Sequence, residues 1–596
     1  MHKGYLILVL HAHLPYIRHP EHEYFLEENW LYEAITESYI PLIDVFDRLL
    51  NDNIDFRITL SLSPTLVEMF NDSFLRERYL RYINNLIELS EKELLRNRGD
   101  ISFEPLVRMY NSRFKRVRFL YEESCKKDLT AAFRRLGEAG KVEIITTAAT
   151  HSYLPVLSIY PQAVRAQIMV AKTHHIKNFG KAPAGIWLPE CGYYNGADRV
   201  LAEAGIKFFF MDTHGILNGT PTPRYGVYKP VSCPSGVIAF GRDIESSKQV
   251  WSSIEGYPGD FAYRDFYRDA GFDLPMDYVK PHIHPDGIRT YTGIKYYRIT
   301  GKTEDKMPYV REQALAKAEE HAENFMLSKK RQIEFLYNNV GFKPAITAPY
   351  DTELFGHWWF EGPDWLDFLM RKIARTQDVF RTITPSEYLN EPHTSRWLTK
   401  GYENSHSNDN NNVIPRLDRG IQTRAPRKRG TLKKNWIPHQ VRNDKLNAFS
   451  EQNHELQRIE PSMSSWGYKG YNEVWLNSSN SWIYRHLHRA AEKMTELANM
   501  FPHADGLLKR ALNQAAREVL LSQHSDWAFI IKTGAAAEYA SKRLSEHIDR
   551  FNGLYAAIRK GDINEARLLE IENKDKLFPE IDYRVYSDSE RRLSKG

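Results

Sequence analysis

Cysteine is scarce in this sequence, and a long apolar run is missing at its start. Only three of the 596 residues are cysteine. That is too few for a disulfide framework, so we expect a reducing compartment. The first apolar run covers six residues, 5–10, which is shorter than the core of a secretion signal and far shorter than a membrane span. The sequence therefore predicts a cytoplasmic protein with no membrane partner.

An excess of basic residues is confined to one segment. The net charge is +5, but residues 412–445 contain ten Lys/Arg and two Asp/Glu, a local charge of +8 that leaves the remainder near −3. A nucleic-acid-binding surface needs basic side chains spread over a folded face. We therefore expect no nucleic-acid partner.

Aromatic residues, in contrast, are plentiful. They make up 13% of the chain and include 12 Trp and 34 Tyr, more than core packing usually requires, which indicates surfaces that stack on a ligand. The content of 42% hydrophobic and 26% charged residues is typical of globular proteins and excludes fibrous or wholly disordered classes. The length predicts two to four domains.

The first 400 residues alternate short apolar runs with amphipathic stretches. Strands are predicted at 5–10, 56–61, 142–147, 185–188, 207–212, 237–240 and 345–348, and the clearest helices at 30–50 and 312–338. Repeated strand-then-helix units predict an α/β fold with a parallel sheet, for which a barrel is the natural closure at this length. Residues 73–137 are charged and helix-like over more length than one crossover needs, so we expect an inserted helical subdomain within a catalytic domain of residues 1–400.

The composition changes at about residue 400. Residues 406–412 are nearly all Asn, Ser and Asp, and the basic stretch after them has no periodicity. We expect 401–460 to be a mostly disordered insertion, with a nucleic-acid-binding tail as the alternative. Residues 461–596 predict an all-α C-terminal domain, with amphipathic stretches at 479–500, 507–522 and 535–558.

Polar side chains follow several of the predicted strands. In a parallel barrel, side chains at the C-terminal strand ends form the floor of the active site. Three histidines (His11, His13 and His151) follow two strands, and Glu190 and Asp351 follow two others. Each has a simpler explanation on its own, as a hydrogen-bonded structural histidine or a helix cap. Five such residues at strand ends favour one shared site.

Two chemistries fit this set of residues. The His11–x–His13 pair can chelate zinc, which predicts a metal-dependent deacetylase or amidohydrolase. Alternatively, the glutamate and the aspartate are the carboxyl pair of glycoside chemistry. One tryptophan, Trp187, precedes the glutamate, and Trp358 stands in an aromatic run after the aspartate. Flat aromatic faces suit sugar rings, so we favour a glycan substrate with no metal and no cofactor.

Several segments resemble the conserved regions of glycoside hydrolase family 57. They are LHAHLPY, AATHSYLP, WLPECGYY and APYDTELFGHWWFEGPDWL. SSWGYKGYNEVWLN and QHSDWAFIIKTG are similar to regions of that family's 1,4-α-glucan branching enzymes. The resemblance covers nearly the whole chain outside 401–460. It implies an incomplete (β/α)7 TIM-like barrel with an inserted helical subdomain, and an all-α C-terminal domain that completes the substrate cleft.

The resemblance also implies roles for individual residues. By motif position, Glu190 corresponds to the catalytic nucleophile and Asp351 to the general acid/base. The family's substrate contacts correspond to His11, His13, His151, Arg242, Gly259, Trp466, Trp475 and Asp526, with the two tryptophans holding the acceptor glucan. Ala535 stands where these branching enzymes tend to carry glutamine, so one substrate hydrogen bond is expected to be missing.

The activity that this resemblance implies is 1,4-α-glucan branching by a retaining mechanism on an amylose-like or glycogen-like glucan. A 4-α-glucanotransferase or an α-amylase of the same family would share the barrel and both carboxyl groups. A non-catalytic α-glucan-binding protein is a further alternative, since the 401–460 insertion could displace the C-terminal domain. The sequence leaves the oligomeric state open, and a monomer is compatible with it.

Overall fold

One curled sheet forms the centre of the computed structural model, which describes residues 2–252, 255–391 and 456–588. The strands within these residues are β1 (Gly4–Ala12), β2 (Ile58–Leu62), β3 (Val142–Thr147), β4 (Gly185–Trp187), β5 (Phe208–Met211), β6 (Val231–Ser232), β7 (Ile238–Gly241), β8 (Ala345–Asp351) and β9 (Phe380–Thr382). All nine residues of β1 are buried, which explains why this strand is a continuous apolar run and not an alternating one.

The strand order is β6-β7-β5-β4-β3-β2-β1-β8, and β9 pairs with β1. Every pairing from β7 through to β8 is parallel, whereas β6 runs antiparallel to β7. The backbone N–H of Asp243, just after β7, donates to the carbonyl oxygen of Thr347 in β8 at 2.8 Å. This contact brings the two ends of the parallel array together without a full ladder. The predicted incomplete (β/α)7 barrel is confirmed.

Helices surround this sheet and form the C-terminal part of the chain. Those that precede β8 are α1 (Glu28–Ala34), α2 (Ile40–Asn51), α3 (Pro64–Asn71), α4 (Ser73–Arg96), α5 (Glu104–Phe119), α6 (Leu129–Glu138), α7 (Leu154–Leu157), α8 (Pro161–Phe179), α9 (Ala197–Glu203), α10 (Thr213–Leu217), α11 (Ile244–Trp251), α12 (Ala270–Asp273), α13 (Met276–Val279) and α14 (Arg311–Val340). Those that follow are α15 (Gly362–Thr376), α16 (Pro385–Asn390), α17 (Trp482–Met500), α18 (Gly506–Ser522), α19 (Ser525–Thr533), α20 (Ala537–Lys560) and α21 (Glu565–Lys574).

The stretch predicted as an inserted subdomain, 73–137, contains α4, α5 and most of α6. Helix α4 begins after Asp72, whose carboxylate accepts hydrogen bonds from the backbone N–H groups of Phe74 and Leu75, a normal N-cap. The side chain of Asn85 in α4 donates a hydrogen bond of 3.0 Å to the carbonyl oxygen of His282. Helix α4 therefore contacts the long connection that precedes α14. That 73–137 is a subdomain of its own stays a prediction.

The predicted insertion, 401–460, lies outside the described residues except for its last five. Residues 456–460 pair with the edge of the barrel. The N–H of Ser232 donates to the carbonyl of Gln457 at 3.0 Å, and the N–H of Glu460 donates to the carbonyl of Thr220 at 2.8 Å. Residues 456–460 therefore have backbone partners on the barrel, and the bounds expected for the insertion stay a prediction.

The C-terminal helices pack against the barrel near its strand ends. The hydroxyl of Thr150, after β3, donates to the carbonyl of Leu520 in α18 at 2.5 Å. Arg18, after β1, donates to the carbonyl of Asn573 in α21 at 2.7 Å. The predicted all-α character is confirmed here, although the sequence patterns did not identify α19 or α21. Among the described residues, no helix combines the length and apolar character needed to cross a bilayer.

Candidate active site

Adjacent strands bring the predicted site residues together. His11 in β1 is the register partner of Asp351, the last residue of β8. Because β3 and β4 are also parallel neighbours, the segments that follow them carry His151 and Glu190 to the same end of the sheet. These four residues therefore lie at the same end of the sheet.

The backbone at Glu190 and His151 is strained. Glu190 has φ 61° and His151 has φ 51°, which is the left-handed region that non-glycine residues rarely adopt. Cys191, the next residue after the glutamate, also has φ 51°. Such conformations cost about 1–3 kcal/mol each and cluster at functional sites. The chain accepts this cost where it turns the glutamate side chain into the cleft.

The Glu190 carboxyl is held by two donors from the C-terminal part of the chain. The indole Nε1 of Trp466 donates to Oε2 at 2.8 Å, and the hydroxyl of Ser525 lies 3.3 Å from Oε1. The side chain is only 16% exposed, and burial raises its pKa to about 7 even though both hydrogen bonds favour the ionised form. The barrel supplies the carboxyl group, and the C-terminal residues orient it.

Asp351 differs from Glu190 in its hydrogen bonding. Within the described part of the chain, its carboxyl group makes no hydrogen bond or ion pair. Burial, followed by the nearby charges of Glu353 and Glu190, raises the pKa of Asp351 well above its usual value. Glu353 itself accepts from the backbone N–H of His13 at 3.2 Å, and burial raises its pKa to about 7. The surroundings of Asp351 thus favour its protonated form, whereas the two hydrogen bonds to Glu190 favour the ionised form of that carboxyl group, the kind of difference that separates acid and nucleophile roles.

Two of the histidines form a buried pair beneath the carboxyl groups. Nε2 of His11 and Nε2 of His151 are 2.9 Å apart. The remaining nitrogen of His11 contacts the Ser61 hydroxyl at 3.1 Å, and that of His151 contacts the Ser525 hydroxyl at 2.9 Å. Burial holds the pKa of both rings well below the usual value. Both imidazoles are therefore neutral at ordinary pH.

The third histidine pairs with an aspartate of α19. Nε2 of His13 lies 2.9 Å from Oδ2 of Asp526, and Nδ1 of His524 reaches the same oxygen at 2.8 Å. Although burial opposes ionisation, the charge of His13 and the hydrogen bonds from both rings hold the pKa of Asp526 well below its ordinary range. Asp526 is thus an anion that fixes the two imidazoles across the junction between barrel and helices.

The zinc alternative was predicted from the His11–x–His13 pair, and the structure brings together a partly different set of possible ligands. His13, His151 and Asp526 place ligand atoms within 4.8 Å of one another. The two imidazole rings are stacked, however, with centroids 3.7 Å apart and planes at 14°. A metal ion binds imidazole nitrogen in the plane of the ring, and two stacked parallel rings cannot both direct a lone pair at one ion. The donor set therefore does not fit the metal-hydrolase alternative.

Aromatic rings and one arginine border the carboxyl pair. Trp187, at the end of β4, has its ring centroid 5.0 Å from that of Trp466 and 4.9 Å from that of His11. Arg242, after β7, forms an ion pair with Asp212 at 3.1 Å and has its guanidinium carbon 6.0 Å from the Trp466 ring. Arg242 is thus adjacent to the cluster, and its contact with substrate stays a prediction.

Three other predicted contacts do not join the cluster. Gly259 ends a short 3-10 turn, Tyr257–Gly259, and Trp358 is 54% exposed and stacks on Phe266 at 4.3 Å. Trp475 is only 1% exposed, because its ring stacks on Tyr153 at 4.4 Å inside the core. That Trp475 holds the acceptor glucan stays a prediction, and its ring is buried in this structure. Ala535 is exposed between α19 and α20.

The sequence analysis missed Ser525, His524, Asp212 and Glu353. Two of them had available signals, since Asp212 directly follows β5 and Glu353 lies two residues beyond Asp351. Ser525 and His524 carried no pattern of their own. His524 is the N-cap of α19 and Ser525 is its first residue, and only the tertiary packing brings them to His13 and Glu190.

Family models match this combination of fold and site. Residues 7–400 match glycosyl hydrolase family 57, and the chain belongs to that family. Residues 486–586 match a second model, described as 1,4-alpha-glucan branching enzyme, C-terminal. The resemblance seen in the sequence motifs is confirmed.

Three relatives illustrate how similar the chain is to known members. An α-amylase structure from Thermotoga maritima is 39% identical, with a TM-score of 0.82 and coverage of 98% of this chain and 99% of that one. A family 57 branching enzyme structure from Thermococcus kodakaraensis is 31% identical, with a TM-score of 0.79 and coverage of 98% and 97%. A probable 1,4-alpha-glucan branching enzyme from Mycobacterium tuberculosis is 27% identical over 98% of each chain.

Proposed function

We propose that this protein is a 1,4-α-glucan branching enzyme that works by a retaining mechanism. The observation that carries the proposal is the pair of contacts at Glu190. Trp466 and Ser525, both from the C-terminal part, hold a carboxyl group that the barrel supplies. The match of residues 486–586 to the branching-enzyme C-terminal model supports reading that part of the chain as a component of the active site.

In the first step, Glu190 attacks the anomeric carbon of an α-1,4-glucan and Asp351 donates its proton to the departing oxygen. The two roles need opposite protonation states. The raised pKa of Asp351 supports the acid role. The hydrogen bonds from Trp466 and Ser525 support ionisation of Glu190, because they stabilise its charged form. The product of this step is a covalent glucosyl-enzyme ester.

In the second step, Asp351 removes a proton from the incoming hydroxyl group, which attacks the ester and releases Glu190. A 6-hydroxyl of another glucan gives an α-1,6 branch, whereas water gives hydrolysis. Trp466 supports discrimination between them, since its half-exposed ring borders Glu190 and offers a face on which a sugar can stack in place of water.

The histidines and Asp526 are proposed to hold the donor glucan. The ring nitrogens of His11 and His151 are already bonded to each other, to Ser61 and to Ser525, so these two neutral rings are proposed to line the donor site by packing. Nδ1 of His13 has no partner among the described residues and is proposed to bond a sugar hydroxyl. Asp526 is anionic and accepts hydrogen bonds. Trp358, Arg242 and Gly259 are proposed as contacts further along the glucan.

A second candidate function is α-amylase activity. The observation that favours it is the 39% identity to a structure described as an α-amylase. Both activities share the first step and differ only in the acceptor. We also propose a location in the cytoplasm, which the three free, buried cysteines support, and a part in glycogen biosynthesis, which would follow from branching activity.

The test is incubation of the full chain with amylose while iodine absorbance and reducing ends are followed together. Branching lowers the iodine colour with little change in reducing ends and yields short chains after debranching. A matching rise in reducing ends identifies an amylase. No change in either quantity contradicts both enzyme assignments and favours a non-catalytic glucan-binding protein.

A further inference from the structure

A second polar cluster lies next to Glu190 and has no assigned role. It centres on His214 in α10, which follows β5. Nδ1 of His214 lies 3.0 Å from Oδ1 of Asp212, and Nε2 lies 2.7 Å from the carbonyl oxygen of Gly470. Gly470 belongs to residues 464–471, which we call the Trp466 loop.

Both ring nitrogens of His214 face hydrogen-bond acceptors. The Gly470 carbonyl can only accept. Asp212 also pairs with Arg242 at 3.1 Å. Although burial opposes ionisation, the hydrogen bond to His214 and the charge of Arg242 hold the pKa of Asp212 below its ordinary value, so its carboxylate is an acceptor too. A neutral imidazole has one N–H, whereas an imidazolium has two. The geometry is therefore satisfied only when His214 is protonated.

The Trp466 loop is fitted closely to this histidine. Gly470 has φ 82°, and a Cβ added there would lie 2.7 Å from the His214 ring, so only glycine permits the contact. Lys469 beside it has φ 64°. At its other end the loop contacts Glu190, since the Trp466 N–H donates to the Glu190 carbonyl at 3.0 Å in addition to the indole contact. One loop thus connects His214 to Glu190.

We propose that His214, as an imidazolium, is a positioning residue that holds the Trp466 loop against the barrel and so keeps Trp466 hydrogen-bonded to Glu190. This inference rests on the proposed branching function. The loop carries the aromatic ring that separates the glucosyl ester from water. Release of the loop therefore favours hydrolysis over transfer.

The surroundings of His214 give the expected pH dependence. Asp212 raises the pKa of His214, and Arg242 opposes this more weakly. The Trp466 loop faces the His214 ring with the carbonyl group of Gly470 and with the ring of Tyr471, which lies edge-on at 5.4 Å. The ammonium group of Lys469 lies over the ring of Tyr468. A group with a raised pKa in the folded state stabilises the contact at low pH, and this stabilisation is lost as the pH rises through that pKa. The ratio of branching to hydrolysis is expected to fall along the same curve.

The experiment compares His214→Gln, His214→Ala and Asp212→Asn with the unaltered chain. His503→Gln is the matched control, because His503 is exposed. New α-1,6 linkages and new reducing ends are counted on amylose across the pH range.

His214→Gln keeps one donor for Gly470 but cannot titrate, so its ratio of branching to hydrolysis is expected to be lower and independent of pH. His214→Ala lowers the ratio further, by about tenfold for a charged hydrogen bond. Asp212→Asn moves the midpoint of the fall to lower pH.

A second measurement separates failure of this inference from failure of the proposed function. Hydrogen exchange read by mass spectrometry on peptides covering 464–471 is expected to be about tenfold faster in His214→Ala than in the unaltered chain. Equal exchange in the two proteins overturns the inference even if branching is observed. An unchanged ratio in all three variants also overturns it. If the unaltered chain converts no amylose, the proposed function fails, whereas faster exchange still supports the loop contact.

Discussion

The indole nitrogen of Trp466 donates a hydrogen bond of 2.8 Å to Oε2 of Glu190. These residues are 276 positions apart in the chain, one after a barrel strand and the other before the first C-terminal helix. Because the bond ends on a carboxyl group with a pKa of about 7, it controls the charge of that group as well as its orientation. The site therefore depends on the correct packing of the C-terminal part.

The first prediction concerns this hydrogen bond. Trp466→Phe keeps an aromatic ring and removes the N–H donor. Hydrogen bonds to charged groups contribute about 1.5–3 kcal/mol, so kcat/KM is expected to fall about 10- to 100-fold. The acid limb of the pH profile is expected to move to higher pH, because the bond favours ionised Glu190. Trp482→Phe serves as the control, because the Trp482 ring packs edge-on against His486 in its own helix. An acid limb that does not move in Trp466→Phe contradicts this role of the hydrogen bond.

The second prediction concerns the nucleophile. Glu190→Gln preserves shape and an acceptor for Trp466 but cannot form the ester. Both branching and hydrolysis are expected to drop by about 10³-fold or more, while binding of a maltooligosaccharide, measured by calorimetry, stays within about threefold. Turnover well above that level excludes Glu190 as the nucleophile.

The third prediction concerns the effect of Asp351 on the stability of the folded protein at different pH values. The pKa of Asp351 is raised in the folded protein, so the unfolded chain releases this proton more readily and is favoured as the pH rises above the ordinary Asp value of about 3.9. Asp351→Asn removes this penalty. The melting temperature of the variant is expected to equal that of the unaltered chain near pH 4 and to exceed it by about 2 °C or more at neutral pH. A constant difference across this range contradicts the assignment of a raised pKa.

The fourth prediction concerns Trp475 and Trp358, which were both predicted as substrate contacts but differ in burial. Trp475→Ala opens a cavity beside Tyr153 and is expected to reduce the free energy of unfolding by about 3–5 kcal/mol. Trp358→Ala removes an exposed ring and is expected to change it by about 0.5 kcal/mol or less while raising KM for long glucans. Denaturant unfolding and initial rates measure both effects. Equal loss of stability in the two variants contradicts their different burial.

The sequence predicted most of the barrel because parallel strands are continuous apolar runs, and β3 was predicted to the residue. It did not predict β6 or β9, since two- and three-residue strands are too short to form a pattern. The strand-end rule found His11, His151, Glu190 and Asp351, whose positions follow from local chain direction. The same rule cannot find Ser525, because its place beside Glu190 depends on how α19 packs against the barrel.

The burial of the Trp475 side chain could likewise not be predicted from its sequence motif. A sequence motif gives the position of a tryptophan but does not show whether its ring faces a ligand or the core. Here Tyr153, which follows β3, occupies one face of the ring, and that contact joins residues more than 300 positions apart. Motif position predicted the segment that contributes to the site, and packing determined which of its side chains reaches the cleft.

The most direct test of the account is a proton NMR time course of amylose incubated with the full chain. It measures α-1,4, α-1,6 and reducing-end anomeric signals in the same sample. For a branching enzyme, each α-1,4 linkage lost is replaced by one α-1,6 linkage, with few new reducing ends, and Glu190→Gln is expected to leave all three signals constant. Loss of α-1,4 signal matched by reducing ends, without α-1,6 signal, would contradict branching and identify water as the acceptor.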